Sequence, residues 1–186
     1  MGFPPATNSP NPRSSAPVRI VIVDDHVFLR ELIAGALGRQ AAAYEVLASV
    51  GTAAEGIAAC RDHRPDLLIL DIHLPDQSGI EAVPAIRSVS PNTHVLLCTA
   101  LPSEDRIIEA LRVGAKGFVE KTNTWDDFLI AVERVGRGEQ YFCSKSAGVV
   151  PLPIRTPVAP SRPSPRPLLS PREQEIIGLI ARGSTS

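Results

Sequence analysis

Asp71 ends the apolar run DLLILD and precedes the loop IHLPDQSG, where a buried parallel strand hands its last side chain to a cleft. Three other runs end in the same way: VRIVIVDD closes on Asp24 and Asp25, THVLLCTA carries Thr99, and GFVEK closes on Lys121. Each residue taken singly has a plain reading, as an acidic turn, a loop cap, a hydroxyl bonded to nearby backbone or a solvated cation. Brought together at four strand ends, carboxylates, a hydroxyl and an ammonium suit phosphoryl transfer. Three carboxylates in one cleft would raise one another's pKa and repel an anionic phosphate donor. Lys121 offsets one charge. A hard divalent cation such as Mg2+ offsets two more, because it prefers carboxylate, water and phosphate oxygens. Asp71 can then remain ionised and attack phosphorus as a carboxylate nucleophile, giving an aspartyl phosphate. Lys121 stabilises charge on the equatorial oxygens, and Thr99 can donate to one of them.

The elements that must position these residues are legible in the hydrophobic pattern. Strand starts near Val18, Tyr44, Asp66, Thr93 and Gly117 lie 22 to 27 residues apart, a spacing that fits one strand, one helix and two short loops. The runs VRIVIV, LLIL and HVLLC are continuous rather than alternating, as expected of parallel strands covered on both faces. Between them a helical period recurs, with Leu29, Leu32, Ile33, Ala36 and Leu37 in one stripe and Phe128, Ala131, Val132 and Val135 in another. This pattern predicts an α/β fold: a flavodoxin-like, doubly wound, five-stranded parallel sheet in the order 2-1-3-4-5, with its ligand site between the carboxyl ends of strands 1 and 3. Pro84 conflicts with the pattern. It falls inside GIEAVPAIRSV, where it removes a backbone donor and should kink the third helix or delay its regular start.

The chain of 186 residues is large enough for one full domain and part of another, and its 44% hydrophobic content supplies an aliphatic core, since aromatics make up only 4%. Net charge is -1, but residues 145–186 carry six Arg or Lys against two Glu. An acidic body with a basic tail argues against nucleic-acid binding by the body. Three cysteines without a C-x-x-C fit neither a disulfide framework nor a zinc site, and a reducing cytoplasm suits them. His26, His63 and His94 show no metal-ligand spacing and read as surface or satisfied positions. Residues 1–17, rich in Pro, Ser and Asn, read as a disordered leader rather than a secretion signal, and no run is long enough to cross a membrane. Residues 18–142 form the main domain. Within 143–167, seven prolines between 148 and 167 predict an extended, semi-rigid linker. Residues 168–186 contain a capped helix start, with Ser170 as N-cap, Pro171 in the first helical position and Glu173 completing a capping box ahead of Ile176, Ile177 and Ile180.

The acidic pair DD, the acceptor in LLILDIHLPDQSGIE, the hydroxyl in LLCTA and the lysine in GFVEK, in this order, resemble the receiver domain of a two-component response regulator over about residues 18–142. The resemblance implies that Asp71 is phosphorylated, with a sensor histidine kinase or a small acyl phosphate as donor. It also implies that Asp25 binds Mg2+ directly, that Asp24 binds it directly or through water, and that His73 binds it through its backbone carbonyl. Phe118, three residues before Lys121, matches the family's switch aromatic, whose inward rotation accompanies movement of the Thr99 hydroxyl toward the phosphoryl group. The surface that would respond spans roughly Ser103 to Gly138, and homodimerisation on phosphorylation is a further expectation. Leu101, two residues after Thr99, occupies a place that in this family influences dephosphorylation.

LLSPREQEIIGLIARGSTS resembles the opening of the LuxR-type helix-turn-helix domain of NarL/FixJ response regulators, which implies transcriptional output through DNA. A helix-turn-helix needs a second helix and a recognition helix, and a lone helix of about twelve residues is marginal in water. The segment ending at Ser186 is therefore not expected to bind DNA specifically, whatever a longer parent protein does. Two other readings compete with the regulator, which would act as an enzyme only in its own phosphorylation and dephosphorylation. One is a receiver that serves only as a protein-interaction module. The other is an Asp-nucleophile phosphatase, which predicts a second carboxylate two residues after Asp71, where His73 stands, and a cap domain, for which there is no sequence.

Overall fold

A computed structural model describes residues 16–101 and 103–143. Strands and helices alternate: β1 (Val18–Val23), α1 (Val27–Gly38), β2 (Tyr44–Val50), α2 (Ala53–His63), β3 (Leu67–Asp71), α3 (Gly79–Val89), β4 (His94–Thr99), α4 (Glu104–Val113), β5 (Gly117–Glu120), α5 (Trp125–Gly136) and β6 (Tyr141–Cys143). The strands form one parallel sheet in the order β2-β1-β3-β4-β5-β6. The five-strand order expected from sequence is present, and the short β6 extends it past β5. That extension was not foreseen because YFC is only three residues long, although α5 is the crossover that sets it parallel to β5.

The continuous apolar strands bury both faces. Val21, Val23, Leu68, Leu70, Val95, Leu97 and Phe118 pack on one side with residues of α2, α3 and α4. Ile20, Ile22, Leu67, Ile69, Leu96 and Val119 pack on the other with residues of α1 and α5. Successive strand residues thus feed opposite cores, which is the period-two rule applied to a sheet with no solvated face. Burial at about 25 cal/mol per Å2 of apolar surface makes these two cores the main stabilising term.

Helix starts follow local capping chemistry. Thr52 and Glu55 form a capping box on α2, while Ser78, Ser103 and Thr124 accept backbone N–H groups at the starts of α3, α4 and α5. Gly114, at φ 86, ends α4 in the left-handed region, where a side chain would also meet the Arg87 guanidinium. α3 begins at Gly79, so Pro84 does not delay it; the proline sits inside a helix that runs on to Val89, where it has no N–H to give the Ile80 carbonyl four residues back. The expected C-terminal helix lies outside the described residues, as do the leader and linker except for residues 16–17 and 143.

Candidate functional site

Parallel alignment puts every strand's carboxyl end on one edge, and the residues singled out from sequence meet there. β1 pairs with β3 and β3 with β4, so Asp71 stands opposite Cys98, with Thr99 one residue further along. Ligand atoms of Asp24, Asp25, His26 and Asp71 all lie within 4.8 Å of one another. Asp24 and Asp71 are buried, at 4% and 2% exposure, whereas Asp25 opens to solvent.

Lys121 ties the buried carboxylates together. Its Nζ lies 2.8 Å from Asp24 Oδ2 and 2.7 Å from Asp71 Oδ2. The other oxygen of each carboxylate accepts a local N–H: Asp24 Oδ1 from His26 at 2.9 Å, and Asp71 Oδ1 from His73 at 3.3 Å. Asp24 directly follows β1 and Asp71 ends β3, so the chain direction after each strand orients the acid groups. Arg30, one turn into α1, donates from its guanidinium to the Asp24 carbonyl and holds the β1 turn against the helix.

The electrostatics are those of an under-compensated pocket. Burial pushes the Asp71 carboxyl above its ordinary range; Lys121 opposes that shift and Asp24 adds to it. Burial alone would lower the Lys121 pKa, but the attraction of Asp24 and Asp71 outweighs it and the ammonium is held charged. One ammonium therefore faces three carboxylates. This donor set, hard oxygens with excess negative charge, fits a divalent cation that can hold carboxylates, waters and phosphate oxygens together.

Thr99 is fully buried at the end of β4; its Oγ1 accepts the Leu101 N–H at 3.1 Å and its carbonyl accepts the Lys121 N–H at 2.7 Å. Phe118 is fully buried among the residues facing α2, α3 and α4, opposite Leu97 and Phe142 in the sheet register. The His73 side chain is exposed. His26 is the residue sequence reasoning set aside: its Nδ1 is 2.8 Å from Asp25 Oδ1 and 3.3 Å from Asp24 Oδ1. Spacing rules for metal ligands could not find it, but its place directly after the acidic pair could have. Cys60 and Cys98 are buried thiols whose pKa burial raises, which leaves them inert. Among the described residues no helix is long and apolar enough to cross a membrane.

Comparison with known proteins agrees with this arrangement. The response regulator receiver domain family matches residues 20–133. The oxygen regulatory protein NreC of Staphylococcus epidermidis is 35% identical over 174 residues, spanning 89% of this chain and 78% of the relative. The DNA-binding transcriptional activator DevR/DosR of Mycobacterium tuberculosis is 30% identical over 169 residues, spanning 91% and 76%. Among solved structures, the signal receiver domain of the NarL regulator of Mycobacterium tuberculosis superposes with a TM-score of 0.62 at 31% identity, covering 66% of this chain and 98% of that one. A LuxR-family two-component response regulator from Aurantimonas gives 0.66 at 29% identity, covering 70% and 93%. With its sheet order, its acidic edge and these relatives in agreement, the chain belongs to the response regulator receiver family, in the NarL/FixJ branch that regulates transcription in two-component systems.

Proposed function

We propose that Asp71 is the phosphoacceptor and that its phosphorylation is the signal this receiver carries. The observation that carries the reading is the Lys121 ammonium bridging Asp24 and Asp71 at 2.8 and 2.7 Å, which leaves a buried carboxylate beside a fixed cation and two further acids. Asp24, Asp25, Asp71 and the His73 carbonyl would hold Mg2+. Bound there, Mg2+ supplies neutralising charge for the carboxylates and the incoming phosphoryl oxygens. An ionised Asp71 oxygen attacks phosphorus while the bond from phosphorus to the donor breaks, the donor nitrogen or oxygen leaving with the electron pair. The donor is the phosphohistidine of a sensor kinase or a small acyl phosphate. Lys121 then turns from the Asp71 carboxylate to the phosphoryl oxygens, and Thr99 gives up the Leu101 N–H to donate its hydroxyl to one of them.

That exchange links the site to a surface. Thr99 and Lys121 belong to neighbouring strand ends, and Phe118 packs inward three residues before Lys121, so the bond change propagates into helix 4, strand 5 and helix 5, roughly Ser103 to Gly138. Homodimerisation through a phosphorylation-sensitive surface and control of a LuxR-type output segment at 168–186, beyond a linker at 143–167, complete the reading. Relatives that align over about nine-tenths of the chain, more than the receiver alone could supply, support that order. DNA is the target of the output domain in a longer parent protein, and the chemistry is confined to phosphorylation and dephosphorylation of Asp71 itself.

Incubation with acetyl phosphate and Mg2+, followed by intact mass and phosphate release, tests the assignment. A stoichiometric, Mg2+-dependent adduct absent from Asp71→Asn is expected. No adduct would leave a bare interaction module, and repeated turnover of varied phosphate esters would indicate a phosphatase.

A further inference from the structure

The first four N–H groups of a helix have no partner within it, and at α2 all four are accounted for. The helix's own capping box takes two: the Thr52 N–H donates to Glu55 Oε2 at 3.1 Å, and the Glu55 N–H donates to Thr52 Oγ1 at 3.2 Å. The other two go elsewhere. Ala53 N–H donates to Asp76 Oδ1 at 3.0 Å and Ala54 N–H to Asp76 Oδ2 at 2.9 Å, across 23 and 22 residues of sequence. Both oxygens of one carboxylate thus grip the positive end of a helix, where an anion is favoured by the exposed N–H groups and by the helix dipole. Slight burial works against the Asp76 charge, but the Ala53 and Ala54 N–H groups, helped by those of Asp76 and Gln77, prevail and hold its carboxyl below the usual range.

Asp76 lies at the tip of the loop that follows the phosphoacceptor. That loop is closed at its base, where Gly79 N–H donates to the Ile72 carbonyl at 2.9 Å and His73 bridges to Ser78. Its base also presses on the site, for a Cβ on Gly79 would fall 2.0 Å from the Asp71 carbonyl oxygen. The base, with His73 in it, is tied to β3 and α3, and the tip to α2, so the loop is fixed at both ends.

We propose that Asp76 is a positioning residue for phosphoryl transfer, which clamps the β3–α3 loop onto the start of α2 and so steadies His73, whose N–H donates to Asp71 and whose carbonyl would bind the cation. The inference rests on the receiver reading of Asp71. Residues that orient ligands from outside the coordination sphere typically change metal affinity by about 10–100-fold.

The test uses the full chain, with Mg2+ titrated by calorimetry and adduct formation from acetyl phosphate followed at limiting and saturating Mg2+. Asp76→Ala is expected to raise the Mg2+ dissociation constant about tenfold while the rate at saturating Mg2+ stays within about twofold of wild type. Asp76→Asn, with one acceptor oxygen in place of two, falls between them. Thr52→Ala removes a cap bond from the same helix end, lowers the melting temperature and leaves Mg2+ affinity at the wild-type value. Wild-type Mg2+ affinity in Asp76→Ala would overturn the proposal, as would a Thr52→Ala variant weakened as much as Asp76→Ala, since helix stability alone would then explain the effect. A wild-type chain that forms no Asp71-dependent adduct would instead overturn the receiver reading beneath it.

Discussion

At the amino ends of the strands, just before β4, Thr93 is buried and donates its hydroxyl to the Pro65 carbonyl at 2.7 Å, while the Ser90 hydroxyl lies 2.7 Å from the same Thr93 oxygen. A hydroxyl has one proton, so Thr93 spends its own on Pro65 and accepts that of Ser90. At the carboxyl ends of the same sheet, two buried carboxylates share one ammonium, and a third, more open one lies beside them against His26. The first edge is neutral and satisfied within itself. The second carries more carboxylates than ammonium groups, a donor set that fits a divalent cation. Equal burial therefore has opposite meanings: one polar group closes the fold, the other prepares it for a ligand.

The largest break in this contrast is expected where the charged edge depends on backbone packing. Gly79→Ala drives a Cβ into the Asp71 carbonyl, which is backbone and cannot swing aside. Stability should fall by about 3 kcal/mol, and adduct formation should fall with it because the β3–α3 loop must move away from Asp71. Chemical denaturation and acetyl phosphate labelling of one preparation check both. A variant with wild-type stability would show that the loop has room the geometry denies it.

Thr93→Val comes next and should separate the two edges. It keeps the shape of the side chain but strands the Ser90 hydroxyl and the Pro65 carbonyl in a buried place. A loss of about 2 kcal/mol is expected, with Asp71 phosphorylation unchanged apart from the lower melting temperature. Denaturation midpoints and labelling rates well below the transition measure this. A matching loss in labelling rate would mean that the edges are coupled through the sheet.

Much of this was legible in the sequence because continuous apolar runs leave little choice of element. Strand starts expected at Val18, Tyr44 and Gly117 are those observed, and those expected at Asp66 and Thr93 begin one residue later, where Asp66 and Thr93 turn to backbone bonds at the amino edge. The convergence of Asp24, Asp25, Asp71 and Lys121 followed from parallel topology alone. What escaped were contacts made across sequence. Asp76 was not singled out, since nothing local in PDQSG reveals that its carboxylate reaches α2. His26 was set aside for the same reason: ligand-spacing rules count residues along one element, whereas its Nδ1 joins a cluster drawn from two strand ends. Pro84 does not delay α3, because the packing of Val83 and Ile86 into the core carries the helix past the proline.

The smallest expected effect is also the one that tests whether the acidic edge is held at a cost. Burial raises the folded pKa of Asp71 above its unfolded value, so between the two the folded state holds a proton that the unfolded state has lost. The protonated form is the one the fold tolerates; its contribution is fully present below the ordinary carboxylate range near pH 4 and is lost as pH rises through the raised folded value. Lys121 runs alongside it with the same sign at a higher pH: its raised pKa contributes stability at neutral pH that disappears only above its ordinary value of about 10.4. In EDTA, wild type should therefore lose stability from acid toward neutral pH by more than Asp71→Asn, which has no proton to lose at that position. At neutral pH the variant should melt roughly 4 °C higher, about 1 kcal/mol. Adding Mg2+ should close the gap, since the cation stabilises the chain that keeps the Asp71 carboxylate more than the one that has lost it. Melting curves with and without Mg2+ across that range decide the matter: if Asp71→Asn melts below wild type in EDTA, Lys121 already balances the pocket and the excess charge attributed to this edge is not there.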